Sequence, residues 1–127
     1  MKKILKLGAV LLLAVTMFGC SGDAKEQLKV YSWGVYIDPD VITDFENEYD
    51  VEVIYDTFES NEQMYTKLMG GEKYDVLVPS DYMIERLIAE DQLQEVDLSK
   101  IENFAGLMEG VTDLSYDPGN KYSVPYF

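Results

Sequence analysis

Histidine is absent from the 127-residue chain, and cysteine occurs once, at Cys20. Without histidine there can be no Ser-His-Asp or Cys-His nucleophilic arrangement and no histidine-ligated zinc. A single cysteine permits no internal disulfide and no cysteine metal site. Chemistry, if any, would have to run on carboxylates, lysine or tyrosine, and neither a cofactor nor a metal is expected. Basic residues are scarce as well, ten against 24 acidic ones for a net charge of −14. Three of the ten, Lys2, Lys3 and Lys6, precede Cys20, so the remainder carries seven against 24, a net −17. That balance argues against nucleic-acid binding and biases long-range steering toward cations. Tryptophan also occurs once, at Trp33. No repeat or low-complexity block breaks the chain, which reads as one compact unit behind a leader.

The leader is the apolar run from Leu7 to Phe18, preceded by the three lysines and too short to cross a bilayer as a permanent helix. Residues 1–19 therefore read as a signal peptide. The run stops at Gly19-Cys20, and residues 20–27 are mostly small or charged, which suits a tether. This arrangement resembles the lipobox of bacterial lipoproteins, with Met17 where that family prefers leucine. The resemblance implies cleavage before Cys20, diacylation of its thiol, and attachment to the outer face of the cytoplasmic membrane.

Beyond the tether, the spacing of apolar and turn residues predicts three strand–helix units. Residues 28–33 have strand composition and run into Gly34; Asp38 and Pro39 supply an N-cap and a first helical residue, with Val41, Ile42 and Phe45 on one face. A second strand spans 51–55. Ser60 and Gln63 form a capping-box pair ahead of Met64, Tyr65 and Leu68, and Gly70-Gly71 closes that helix. The third strand, 74–78, is stopped by Pro79, and a third helix begins near Ser80-Asp81 with Met83, Ile84, Leu87 and Ile88 at helical spacing. The crossovers are long enough for parallel connections, so the fold class is α/β with a doubly wound, mostly parallel sheet. Ligands of such sheets gather outside the carboxyl ends of the strands. Those ends carry Trp33, Gly34, Val35 and Tyr36; Thr57 to Asn61; and Pro79, Ser80, Asp81 and Tyr82.

Four segments carry a family resemblance. They are Val30-Tyr31-Ser32-Trp33-Gly34-Val35-Tyr36-Ile37, Phe58-Glu59-Ser60-Asn61-Glu62-Gln63-Met64-Tyr65, Tyr74-Asp75-Val76-Leu77-Val78-Pro79-Ser80-Asp81-Tyr82-Met83, and Tyr116-Asp117-Pro118-Gly119-Asn120-Lys121-Tyr122-Ser123-Val124-Pro125-Tyr126. In this order and spacing they resemble the spermidine/putrescine-binding proteins of bacterial ABC transporters. The resemblance implies a two-lobed, type II periplasmic-binding-protein fold, with residues 28–127 an incomplete first lobe and the second lobe beyond this chain. It also implies a polyamine ligand, no catalysis, and delivery to an ABC permease in the membrane.

The resemblance further implies ligand-binding roles for Trp33, Tyr36, Ser80, Asp81 and Tyr82. Trp33 would form one wall of an aromatic box, stacking on a polyamine through dispersion and cation–π attraction of about 1 kcal/mol per contact. Tyr36 and Tyr82 would pack on the ligand or offer a hydroxyl to an amine. Ser80 and Asp81 would combine a helix-capping role with a ligand contact. Helix N-termini facing the crevice favour anions, so a polyamine site needs carboxylates, for which Asp81 and Glu59 are the candidates. Val35 stands where polyamine binders often have an acidic residue. Two alternatives stay open: a receptor for an anion or amino acid held on those helix N-termini, and a carboxylate-based hydrolase.

Overall fold

The computed structural model describes residues 24–108 and 110–126; Cys20 and the apolar run before it lie outside the described residues. Strands β1 (Glu26–Trp33) and β2 (Val51–Phe58) pair in parallel over their whole length, from Glu26 opposite Val51 to Trp33 opposite Phe58. β1 thus begins earlier than position 28, and β2 runs past Tyr55 to the crevice end of the sheet. Strand β3 (Val76–Leu77) pairs in parallel with the other edge of β1, giving the order β2-β1-β3. Because the chain reverses its direction of travel across the sheet at β1, the crevice opens between the carboxyl ends of β1 and β3.

The third strand is shorter than its composition predicts. Asp75 N–H donates to the Lys29 carbonyl at 2.9 Å and Val78 N–H to the Tyr31 carbonyl at 3.0 Å, so the neighbours of β3 still follow β1. Lys29 N–H, however, is taken by the Asp75 carboxylate at 2.8 Å instead of by a strand carbonyl. Pro79 has no N–H to continue the ladder.

Helix α1 (Pro39–Tyr49) starts as expected, with Asp38 Oδ1 accepting from Asp40 N–H at 2.9 Å and Pro39 in the first turn. It ends on Asp50 in the left-handed region at φ 53°. Its apolar stripe is not buried: Val41 is 58% and Phe45 39% exposed. The helical period is as predicted, but α1 packs chiefly on β2 at the edge of the sheet, which leaves most of that face uncovered.

Helix α2 (Asn61–Met69) begins on Ser60, whose Oγ accepts from Gln63 N–H at 3.1 Å. The reciprocal arm of the capping box lands one residue earlier than expected, with Gln63 Oε1 accepting from Glu59 N–H at 2.9 Å. At the far end Gly71 N–H donates to Leu68 O and Glu72 N–H to Lys67 O, the paired bonds of a Schellman motif, with Gly71 at φ 99°. A side chain at Gly71 would meet this left-handed backbone, which favours glycine.

Helices α2 and α3 (Asp81–Ala89) lie together over the sheet face opposite α1, as right-handed crossovers require. Between them and the sheet sit Tyr31, Phe58, Met64, Met83 and Leu87, all buried, with Trp33, Tyr65, Leu68, Tyr74, Leu77 and Leu93 packed around them. Full burial of Met64, Met83 and Leu87 contributes about 1.5–3 kcal/mol each relative to exposure. The two helices are also tied through Glu90, which accepts from Tyr65 O–H at 2.8 Å and from Arg86 Nε at 3.0 Å, while the Arg86 guanidinium sits 3.7 Å from the Tyr65 ring centroid. On the other face of β1 the fully buried Ser32 hydroxyl has no hydrogen-bond partner among the described residues.

Two 3-10 turns, Leu98–Lys100 and Glu102–Gly106, lead into an irregular segment that returns to the crevice. Its conformation is set by the buried Asp117, whose carboxylate accepts from the N–H groups of Lys121, Tyr122 and Ser123 and from the Ser123 hydroxyl. Val96 N–H donates to the Lys121 carbonyl at 2.7 Å and fastens the segment to the body.

Candidate functional site

The five residues expected at the site fall into two groups, both at the carboxyl edge of the sheet. The first is aromatic. Trp33 ends β1 and is half-buried, its ring 4.6 Å from Phe58 and 6.1 Å from Tyr36. It is therefore part of the core margin as well as of the crevice. Its carbonyl accepts from Tyr55 O–H at 3.1 Å and from Tyr36 N–H at 3.4 Å, which folds the loop after β1 back on the strand end.

Tyr36 stacks on Tyr126, centroids 5.7 Å apart at 20°, and Tyr126 O–H donates to the Tyr36 carbonyl at 2.8 Å. Trp33, Tyr36 and Tyr126 thus form a row of three rings. The Asp117 turn delivers Tyr126 to this place, and no local pattern in the sequence announces a contact across 90 residues.

The second group is polar and joins the N-termini of α2 and α3. Ser80 occupies the N-cap position of α3 but makes no side-chain cap bond, contrary to the expected capping role. Its Oγ instead accepts from Asn61 Nδ2 at 3.1 Å, and its N–H donates to Asn61 Oδ1 at 3.1 Å. Asp81 is exposed, and its Oδ1 accepts from the N–H of Tyr82 at 2.7 Å. Tyr82, about half exposed, donates its hydroxyl proton to Glu62 Oε1 at 2.9 Å. That bond raises the Tyr82 pKa above the ordinary phenol value, with the nearby Asn61 amide working against it. Tyr116 is also raised, chiefly by burial and then by the charges of Asp81 and Asp117, which places it beside the start of α3.

Sequence reasoning missed Asn61, Glu62 and Tyr126. Asn61 and Glu62 stand in one of the segments that carried the resemblance, but their partners are 19 and 20 residues away on another helix. Of the carboxylates expected to offset the helix N-termini, Asp81 is in the first turn of α3, whereas it is Glu62 and not Glu59 that meets an expected site residue. Among the described residues no group of three or more Cys, Asp or Glu is placed to hold a metal ion. No helix among them is long and apolar enough to cross a membrane.

Several donors of this crevice are spent within it. The N–H groups of Glu59, Gln63, Ser80 and Tyr82 all bond to side chains, and the hydroxyl protons of Tyr82 and Tyr126 are committed to Glu62 and to the Tyr36 carbonyl. The Tyr82 phenol oxygen and the exposed carboxylates of Glu62 and Asp81 remain to meet a ligand.

Comparison with known proteins agrees with this geometry. The spermidine/putrescine-binding periplasmic protein of Escherichia coli K12 is 38% identical over 116 residues, covering 90% of this chain and 33% of its own length. Among solved structures, a spermidine/putrescine ABC transporter substrate-binding protein, PotD, of Streptococcus pneumoniae is 47% identical with a TM-score of 0.77 over 81% of this chain and 32% of that one. A putative spermidine/putrescine ABC transporter protein of Listeria monocytogenes gives 48% and 0.78 over the same 81% and 32%. The expected α/β architecture is therefore that of part of a lobe in these binding proteins, and the chain spans about a third of the length of the curated relatives it matches. The model of the hypothetical lipoprotein family (MG045 family) matches residues 1–106, and the chain belongs to that family.

Proposed function

We propose that this chain forms part of the ligand-capturing lobe of a substrate-binding lipoprotein that collects polyamines for an ABC importer. The observation that carries the reading is the disposal of the crevice donors. A polyamine brings only N–H donors and methylene groups, so it needs acceptors and apolar ring faces. Trp33, at the end of the ring row, offers a face on which methylenes gain dispersion and an ammonium gains about 1 kcal/mol of cation–π attraction. Tyr82, Glu62 and Asp81 offer the acceptors. Glu62 and Asp81, both in first helical turns, also offset the positive ends of α2 and α3 that would otherwise repel a cation. An anion or amino-acid carboxylate would compete for the N–H groups of Gln63, Ser80 and Tyr82 that are already bonded and would meet the carboxylates of Glu62 and Asp81, which counts against that alternative. The names of the relatives, all binding proteins, favour binding over hydrolysis.

In this reading Ser80 holds the start of α3 against α2 through Asn61 and keeps its own hydroxyl at the crevice edge. Residues 1–19 direct export, and Cys20 carries the lipid that keeps the protein on the outer face of the cytoplasmic membrane. A tethered receptor raises the effective concentration of loaded protein at its permease. Calorimetry of the full-length gene product with putrescine and spermidine tests the proposal. Stoichiometric binding of either is the expected result; heat from neither, alongside binding of an anion or an amino acid, would overturn it.

A further inference from the structure

The Tyr82 hydroxyl is held by a carboxylate. Its oxygen is 2.9 Å from Glu62 Oε1, across the gap between the first turns of α2 and α3. A phenol carries one proton and accepts through the same oxygen, so the direction of that proton decides what it shows to a ligand. Held toward Glu62, the proton is taken up and the oxygen is left as an acceptor. Freed from Glu62, the O–H bond turns about the ring carbon, and Tyr82 becomes a donor to anything that accepts.

We infer that Glu62 is a positioning residue that sets the sign of the ligand group accepted at Tyr82: by fixing the phenol proton, it makes the site take an ammonium and refuse a carboxylate. Three features support this. Glu62 is exposed in the first turn of α2, so it has no core role to perform. The backbone at the start of α2 is already capped by Ser60 and Gln63, so Glu62 is not needed there. The Tyr82 phenol carries its proton at neutral pH, as any tyrosine does, so a proton is there to be held. The mechanism differs from simple charge attraction, since it acts through the orientation of another side chain.

The inference rests on the polyamine reading, and the experiment separates the two. Putrescine and 4-aminobutyrate share a four-carbon chain and differ in having an ammonium or a carboxylate at one end. Affinities for both are measured by calorimetry on the full-length gene product and on Glu62→Ala, Glu62→Gln, Tyr82→Phe and the Glu62→Ala/Tyr82→Phe double variant. Glu62→Ala is expected to bind putrescine about tenfold more weakly, the loss of roughly one hydrogen bond to a charged group, and to narrow the preference for putrescine over 4-aminobutyrate. Glu62→Gln, which keeps an acceptor oxygen for the phenol, should recover most of the affinity. In the Tyr82→Phe background, removal of Glu62 should cost clearly less than in the wild type, leaving only the contribution of its charge. If Glu62→Ala weakens putrescine equally with and without the Tyr82 hydroxyl, Glu62 acts as a charge alone and the inference is overturned. It is also overturned if Glu62→Ala binds as tightly as the wild type. Wild-type protein that binds no diamine at all overturns the polyamine reading and this inference with it.

Discussion

Replacing Asn61 by alanine cuts the brace between the N-termini of α2 and α3. Asn61 is 5% exposed; it accepts the Ser80 N–H and donates to Ser80 Oγ, both at 3.1 Å. Each bond contributes about 1 kcal/mol net. In the alanine variant the half-buried Ser80 N–H is left unpaired, which adds about 1 kcal/mol of desolvation cost. Alanine at the start of α2 returns about 0.5 kcal/mol through its higher helix propensity. The expected destabilisation is therefore about 2–3 kcal/mol. Urea unfolding of the full-length gene product reads it as a lower midpoint at unchanged slope. Asn61→Asp is the internal control: a carboxylate still accepts from Ser80 N–H, and it can take the Ser80 hydroxyl proton, so its stability should lie between wild type and alanine. An alanine variant within about 0.5 kcal/mol of wild type would refute the reasoning, as would an aspartate variant weaker than alanine.

Three further outcomes are expected. Trp33→Ala should weaken polyamine binding about tenfold or more, since it removes one end of the ring row, and calorimetry showing wild-type affinity would sink the aromatic wall. Asp56 is held below the ordinary carboxylate range by its bond to Lys67 at 2.8 Å and then by the Tyr74 hydroxyl at 2.6 Å. A group depressed in the folded state stabilises above its unfolded pKa, near 4, and loses that contribution as pH falls through the folded value. Asp56→Asn should accordingly reduce stability at neutral pH and flatten the acid limb of a melting-temperature profile below about pH 4; an unchanged slope there would count against the pairing. Both partners are more than a third exposed, so the effect is modest. Cys20→Ser should leave binding intact and move the protein from the membrane to the soluble exported fraction, as cell fractionation would show.

What the sequence made legible is what short-range chemistry decides. The Asp38-Pro39 start of α1, the Ser60 cap and the Gly70-Gly71 stop all depend on residues within a turn of one another, and all stand where the pattern put them. The parallel connections of the sheet followed from crossover lengths, whereas the strand order β2-β1-β3 came only with the structure. The remainder depends on partners distant in sequence. β3 is short because the Asp75 side chain intercepts a backbone donor 46 residues away, a choice that composition cannot reveal. Ser80 looked like a cap because serine at that position usually is one; Asn61 claimed it from another helix. The stripe of α1 was readable, but whether anything covers it depends on sheet width. Trp33, Tyr36, Ser80, Asp81 and Tyr82 all sit at the edge the strand ends predicted, whereas the groups that orient them, Asn61, Glu62 and Tyr126, became apparent only in three dimensions.

Asp117 has a thermodynamic consequence out of proportion to its distance from the crevice. One carboxylate gathers four donors over residues 121–123, so those bonds open together or not at all. The turn is in effect a small foldon whose opening equilibrium is set by side-chain hydrogen bonds, those of Asp117 backed by Asp113 and Asn120, and not by a hydrophobic core. Opening would loosen the segment that carries Tyr126, and with it the stacked ring and the hydrogen bond to the loop after β1. The fraction of molecules with a formed aromatic row is thus capped by the closed fraction of this turn, and apparent affinity for a ligand falls in the same proportion.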